Sequence, residues 1–166
     1  GWFRSAVRVR VAAVDDRGGR MTITARLDDG EPAVATDVRY VDVTVSGDGR
    51  HTVTATATDR AGNVSAVADL AVRIDATAPV STGTVDGDTR TVTVTASDAT
   101  SGVARIEYAI GTGAWTTYTG PIAAPDADRH TVSFRAVDVA GNLGTARTVT
   151  VPADLSGPLT GNIAPL

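Results

Sequence analysis

The sequence predicts an all-β protein built as two tandem antiparallel β-sandwiches. Two observations carry that reading. "HTVTATATDRAGN" (His51 to Asn63) returns as "HTVSFRAVDVAGN" (His130 to Asn142), 79 positions later. Apolar and polar residues alternate with period two through most of the chain, and no useful window shows the 3.6 period of a helix.

In the first copy, His51, Val53, Ala55, Ala57 and Asp59 fall on one side and Thr52, Thr54, Thr56 and Thr58 on the other. That is a strand buried on one face. The second copy sets His130, Val132, Phe134, Ala136 and Asp138 against Thr131, Ser133, Arg135 and Val137. Upstream, Val7, Val9, Val11 and Ala13 are matched by Val92, Val94 and Ala96; Met21, Ile23, Ala25 and Leu27 are matched by Ala104, Ile106, Tyr108 and Ile110. Leu70, Val72 and Ile74 close the first repeat, and Val149 and Val151 the second.

Asp15 aligns with Asp98 at an offset of 83, against 79 for the later line. The first repeat therefore holds four extra residues around Asp37 to Gly49, which belong in a loop or edge strand. The boundary falls in "RIDATAPV", where Pro79 suits a strand entry or linker. The expected domains are 1–75 and 76–152, with 153–166 a linker toward a further module. The first domain has no counterpart of Pro79 to Val85, the opening strand of the second. Gly1 starts within the pattern, so the chain reads as a piece of a longer protein, with its two sandwiches end to end.

Composition excludes several classes. There is no Cys, hence no disulfide or thiolate chemistry, and all fifteen basic residues are Arg, hence no Lys-based chemistry. A net charge of −4 lacks the basic footprint of a nucleic-acid binder. No apolar run approaches a membrane span, so no membrane insertion is expected.

"SGVARIEYAIGTGAWTTYTGPI" followed by "HTVSFRAVDVAGN" resembles bacterial immunoglobulin-like repeat modules of the Asp-x-Ala-Gly-Asn type. "GWFRSAVRVRVAAVDD" resembles the opening of such a module, and "DATAPV" its joint. The first repeat departs from the pattern at Glu31-Pro32. The resemblance implies immunoglobulin-like or fibronectin-III-like sandwiches. It also implies an extracellular setting, in secreted multidomain glycoside hydrolases or at the cell surface, and an accessory role with the chemistry performed elsewhere. "GNIAPL" looks like the entry to a galactose-binding-like sandwich.

No residue is expected to be catalytic. His51 and Asp59, eight positions apart on one strand, are separated by roughly 26 Å and cannot form a dyad. Each His is expected at the end of its sandwich, bonded to backbone of the preceding loop; "DADRHTV" resembles a tyrosine corner with His130 in place of Tyr. Asp59 and Asp138 are expected to cap turns in which Gly62 and Gly141 take positive φ and Asn63 and Asn142 tolerate the left-handed region. Asp75, Asp98 and Asp138 are expected to gather at one pole, where calcium is the weighed alternative to turn capping. Asp86 and Asp88 lie in a turn. No cofactor is expected. Polysaccharide is the alternative partner to neighbouring domains of the parent chain, with Trp115, Tyr118 and Tyr40 as stacking candidates. The Arg8 and Arg10 face is expected to be solvated.

Overall fold

The computed structural model describes residues 1–16 and 18–155. Of the expected terminal linker, Ser156 to Leu166 therefore lie outside the described residues. Every regular element among those described is a strand, and the fold is all-β with tandem antiparallel sandwiches. The chain divides into two compact units. One holds Gly1–Thr77 with the short segments Ala99–Ser101 and Val139–Asn142; the other holds the remainder.

The first unit contains β1 (Val7–Ala12), β2 (Met21–Leu27), β3 (Ala33–Val38), β4 (Tyr40–Val45), β5 (Gly49–Thr58) and β6 (Ala68–Ile74). One sheet is β1-β4 and the other β3-β2-β5-β6, all antiparallel. The alternation of β1, β2 and β5 turns Val9, Ile23 and Val53 inward, where they are buried with Val45, Val72 and Ile74. The extra residues of the first repeat lengthen an edge. β4 is a six-residue strand on β1, while its partner in the second unit has only two residues.

The second unit contains β7 (Val80–Asp86), β8 (Thr91–Ser97), β9 (Val103–Ile110), β10 (Thr116–Thr117), β11 (Ile122–Ala123), β12 (His130–Asp138) and β13 (Arg147–Val151). Its sheets are β11-β8-β7 and β10-β9-β12-β13. Val92, Val94, Ile122, Val132, Phe134 and Val151 form the core between them. β7 packs over β12 and β13. It comes so close that a Cβ on Gly83 would stand 2.6 Å from the Phe134 ring. Glycine is required there for contact, since any side chain would displace the ring.

One strand position departs from the expected alternation. Val137 was expected on the water face of β12, yet it is buried together with Ala136 and Asp138. The pairing of β12 with β9 shifts register between Val137 and Asp138. Such a bulge breaks the strict period of two.

Ser81 of β7 is 2% exposed and its hydroxyl has no hydrogen-bond partner. A buried hydroxyl left unpaired costs stability. Ser81→Ala should therefore stabilise the second unit by about 1 kcal/mol, read as a higher melting temperature; a lower one would show that the hydroxyl is satisfied in solution.

Candidate functional site

The repeated histidines sit where their strands begin. His51 Nδ1 lies 2.9 Å from Asp28 Oδ2, and Nε2 lies 3.1 Å from the Gly47 carbonyl oxygen. Both partners accept, so the ring fits best as an imidazolium donating from both nitrogens. The Asp28 carboxylate, followed by the Gly47 carbonyl, raises the His51 pKa above its ordinary value. Asp28 is held low by His51 first, then by the Thr52 N–H donated at 2.8 Å. The expected bond to the preceding loop is present, while Asp28, which lies 23 positions upstream, is an added partner. Asp28 itself has φ +50°, in the left-handed region that Asp tolerates better than most residues.

His130 uses a local version of the same device. Its Nε2 lies 2.7 Å from Asp126 Oδ1, which also accepts the Asp128 N–H at 2.8 Å. The expected backbone partner is replaced by a loop carboxylate. Asp126 is held below its usual range, chiefly by His130.

The Asp-x-Ala-Gly-Asn ends are turns. Asp59 accepts the Asn63 N–H at 2.8 Å and the Asn63 side-chain amide at 2.7 Å. These bonds lower its pKa. Gly62 and Gly141 have φ +90° and +93°. Asn63 and Asn142, expected to tolerate the left-handed region, are not among the residues of positive φ; their side-chain amides form bonds. Within the first unit, the Asn142 amide donates to the Asp75 carbonyl at 2.8 Å and to that of Thr77 at 3.3 Å.

Asp75 is completely buried, and its carboxylate accepts N–H groups from Thr77 at 3.1 Å and Ser101 at 3.0 Å, also within the first unit. In the second unit, Asp98 and Asp138 bring carboxylate oxygens within 4.8 Å of each other. Asp98 accepts the Gly102 N–H at 2.8 Å. Asp86 closes the turn between β7 and β8 by accepting from Asp88 N and Thr89 N at 2.9 and 3.0 Å, which lowers its pKa. Asp88 serves that turn through its backbone.

The aromatic candidates divide. Tyr118 accepts the Val94 N–H at 3.1 Å and meets Tyr108 edge-on, with ring centroids 6.5 Å apart. It packs against the core of the second unit. Trp115 is 39% exposed, with the Arg135 guanidinium 4.0 Å from its ring centre. Glu107 bridges Arg105 and Arg135 at 2.7 and 2.9 Å; those two arginines hold its carboxyl below the usual range. Trp115, Arg135, Glu107 and Arg105 thus form one ordered surface group, which sequence reasoning reached only at Trp115. The period-two spacing of Arg105 and Glu107, with Arg135 paired opposite Glu107 across the sheet, was the signal. Tyr40 carries Arg10 over its ring at 4.1 Å. Arg10 also makes two bonds to Asp42, at 2.8 and 3.0 Å, with Arg8 3.9 Å away. That face is internally charge-paired.

Fold and geometry define immunoglobulin-like β-sandwich modules in which His51, His130 and Asp59 bond groups of the loops and turns at strand ends. Residues 4–72, less than half of the chain, match the family model of the PKD domain. Among solved structures, the fibronectin(III)-like modules of Clostridium thermocellum CbhA are similar at 15% identity and a TM-score of 0.43, covering 92% of this chain and 88% of that one. No curated protein matches the chain.

Two measurements check this assignment. A raised His51 pKa in the folded state means that its stabilisation is full below the imidazole's unfolded value. It is lost as pH climbs through the folded one. The lowered Asp28 value adds stability above its unfolded pKa that is lost as pH falls through the folded one. The melting-temperature gap between the native chain and His51→Ala should be widest between about pH 4 and 6.5 and narrow toward pH 9. A gap constant to pH 9 would remove the imidazolium from the account.

Gly141→Val should destabilise more than Gly141→Ala, because a β-branched side chain at φ +93° is the more strained. Costs of about 1–3 kcal/mol are expected, read by chemical denaturation. Two neutral substitutions would mean the turn relaxes freely.

Proposed function

We propose that the chain is a non-catalytic accessory segment of a secreted multidomain protein, a carbohydrate-active enzyme such as a glycoside hydrolase. There its immunoglobulin-like modules space other domains. The observation carrying this reading is that the repeated His and Asp residues are engaged in holding strands and turns. His51 and His130 tie strand starts to loops. Asp59 closes its own turn. The partners of His51, His130 and Asp59 in these bonds are carboxylates, a backbone carbonyl and an asparagine, with no nucleophilic hydroxyl among them. The match of residues 4–72 to the PKD domain also fits a module of this structural kind. The setting of the parent comes from the sequence resemblance.

A second reading is favoured by one observation. Trp115 is partly exposed, and its ring is held by an arginine that Glu107 fixes in turn. A pre-oriented indole beside charged hydrogen-bonding groups suits a sugar ring, as aromatic platforms with polar neighbours do. Retention on insoluble polysaccharides and glycan arrays separates the two readings. The spacer predicts no retention above that of Trp115→Ala. Retention that falls at least tenfold in Trp115→Ala, with the melting temperature unchanged, would replace it by carbohydrate binding.

A further inference from the structure

The outer face of the sheet β3-β2-β5-β6 carries a charge pattern that the fold itself does not use. On β5 the buried Val53 and Ala55 turn inward, so Arg50, Thr52, Thr54 and Thr56 point to the other side. Ala25 and Val72 are buried likewise, which puts Arg26 of β2 and Arg73 of β6 on that same outer face. All three arginines are exposed.

Register sets their spacing. Arg50 and Arg73 stand directly opposite each other. Like charges so placed repel and cost stability. Arg26 is opposite Thr54, four positions further along β5. At ~3.3 Å per residue and ~4.8 Å between strands, its Cα lies about 14 Å from that of Arg50. Thr52 and Thr54 occupy the interval on β5.

Several other arginines are neutralised in place. Arg8 and Arg10 meet Asp42, Arg60 meets Asp37, and Arg105 and Arg135 meet Glu107. Among the described residues, Arg26, Arg50 and Arg73 enter no ion pair with a carboxylate. Arg50 is braced instead over the Trp2 ring, at 5.6 Å. The outward acid of β2, β5 and β6 is Asp69, opposite Thr54, so the face is positive in a chain of net charge −4. Beside Arg26 a hollow of about 200 Å³ opens, lined by Thr24, Thr54, Thr56, Pro32 and Val67 among others. Hydroxyls beside apolar edges match a sugar ring, which offers both hydroxyl and C–H groups.

The geometry points to a binding face for an acidic polysaccharide whose sugar units carry carboxylates. Guanidinium forks pair with carboxylates through two parallel bonds. One carboxylate sits between Arg50 and Arg73 and relieves their repulsion. Another reaches Arg26, and sugar hydroxyls meet Thr52 and Thr54 on the way. A small anion engages one end only, whereas a polymer spans both. Nucleic acid is a poorer match, since its dense phosphates would meet three cations on an acidic chain. The face belongs to the first unit and Trp115 to the second. The inference is therefore independent of the Trp115 reading and leaves the spacer role in place.

Affinity electrophoresis and calorimetry of the full chain with polygalacturonate test it, at a temperature where every variant is folded. Dextran, poly-glutamate and single-stranded DNA are the comparison polymers. Polygalacturonate should retard the chain at low salt, and dextran should not. Arg50→Gln combined with Arg73→Gln, and separately Arg26→Gln, should each weaken binding by about tenfold or more. Arg147→Gln, which removes a charge from an exposed position of the second unit, should bind as the native chain does, and so should Trp115→Ala. No retardation, or equal weakening in Arg147→Gln, would overturn the proposal. Loss in Trp115→Ala with the arginine variants unchanged would move the polysaccharide to that residue. Poly-glutamate held as tightly as polygalacturonate would reduce the face to plain charge attraction, and tighter single-stranded DNA would make the occupant a nucleic acid.

Discussion

Each unit rests on one long central strand, β5 or β12, whose inward side chains must meet an opposing sheet before water reaches them. β5 is paired on both sides, by β2 and β6, and β12 by β9 and β13. Backbone hydrogen bonding is thus satisfied within the sheet, and the remaining requirement is cover for the inner face. The second unit meets it closely: Phe134 fills the interior and Gly83 lets β7 approach the ring. In the first unit Ala55 stands at the position of Phe134, and the sheet opposite, β1-β4, has two strands among the described residues.

The polar residues follow from the same constraint. A sandwich ends where its strands leave the sheets, and the chain must reverse there without stranding backbone groups. Carboxylates do this repeatedly. Asp28 takes Thr52 N, Asp59 takes Asn63 N, Asp86 takes two N–H groups and Asp126 takes Asp128 N. Except at Asp28, whose partner lies across the sheet, the choice of Asp over Glu has a geometric reason: the shorter side chain reaches backbone two to four residues ahead. Two of these carboxylates also hold a histidine, so one arrangement secures both a turn and the first residues of a central strand.

Much of this was legible in the sequence, because period-two alternation reports burial on one face and the duplicated line reports the register of two copies. β1, β2, β5 and β12 could be read directly. β3 could not: Ala33 to Val38 form an edge strand that is largely exposed, so no buried side imposes a pattern. The bulge at Val137 and Asp138 was hidden for a related reason, since a register shift leaves no mark on composition. Neither carboxylate partner of the histidines was legible: Asp126 stands four positions before His130 where a backbone partner was expected, and Asp28 meets His51 only after β2 has folded against β5. The role of Tyr118 depended likewise on which strand its hydroxyl would reach.

The capped turns also bear on how the chain ages. An aspartate followed by glycine is the aspartyl pair most prone to cyclise, because the unhindered glycine nitrogen attacks the side-chain carboxyl carbon with loss of water to give a succinimide, which water then opens to isoaspartate. Three such pairs occur, Asp29-Gly30, Asp48-Gly49 and Asp86-Gly87, and the last two have their carboxylates held. In the folded chain the Asp48 carboxylate accepts from Ala76 N and the Thr77 hydroxyl, and that of Asp86 from Asp88 N and Thr89 N. Both are kept ionised and fixed by these bonds, which opposes loss of the carboxyl oxygen and rotation toward the glycine nitrogen. At Asp48 and Asp86 the groups that shape the turns therefore shield their own peptide bonds from rearrangement, and the protection lasts only while the sandwiches remain folded.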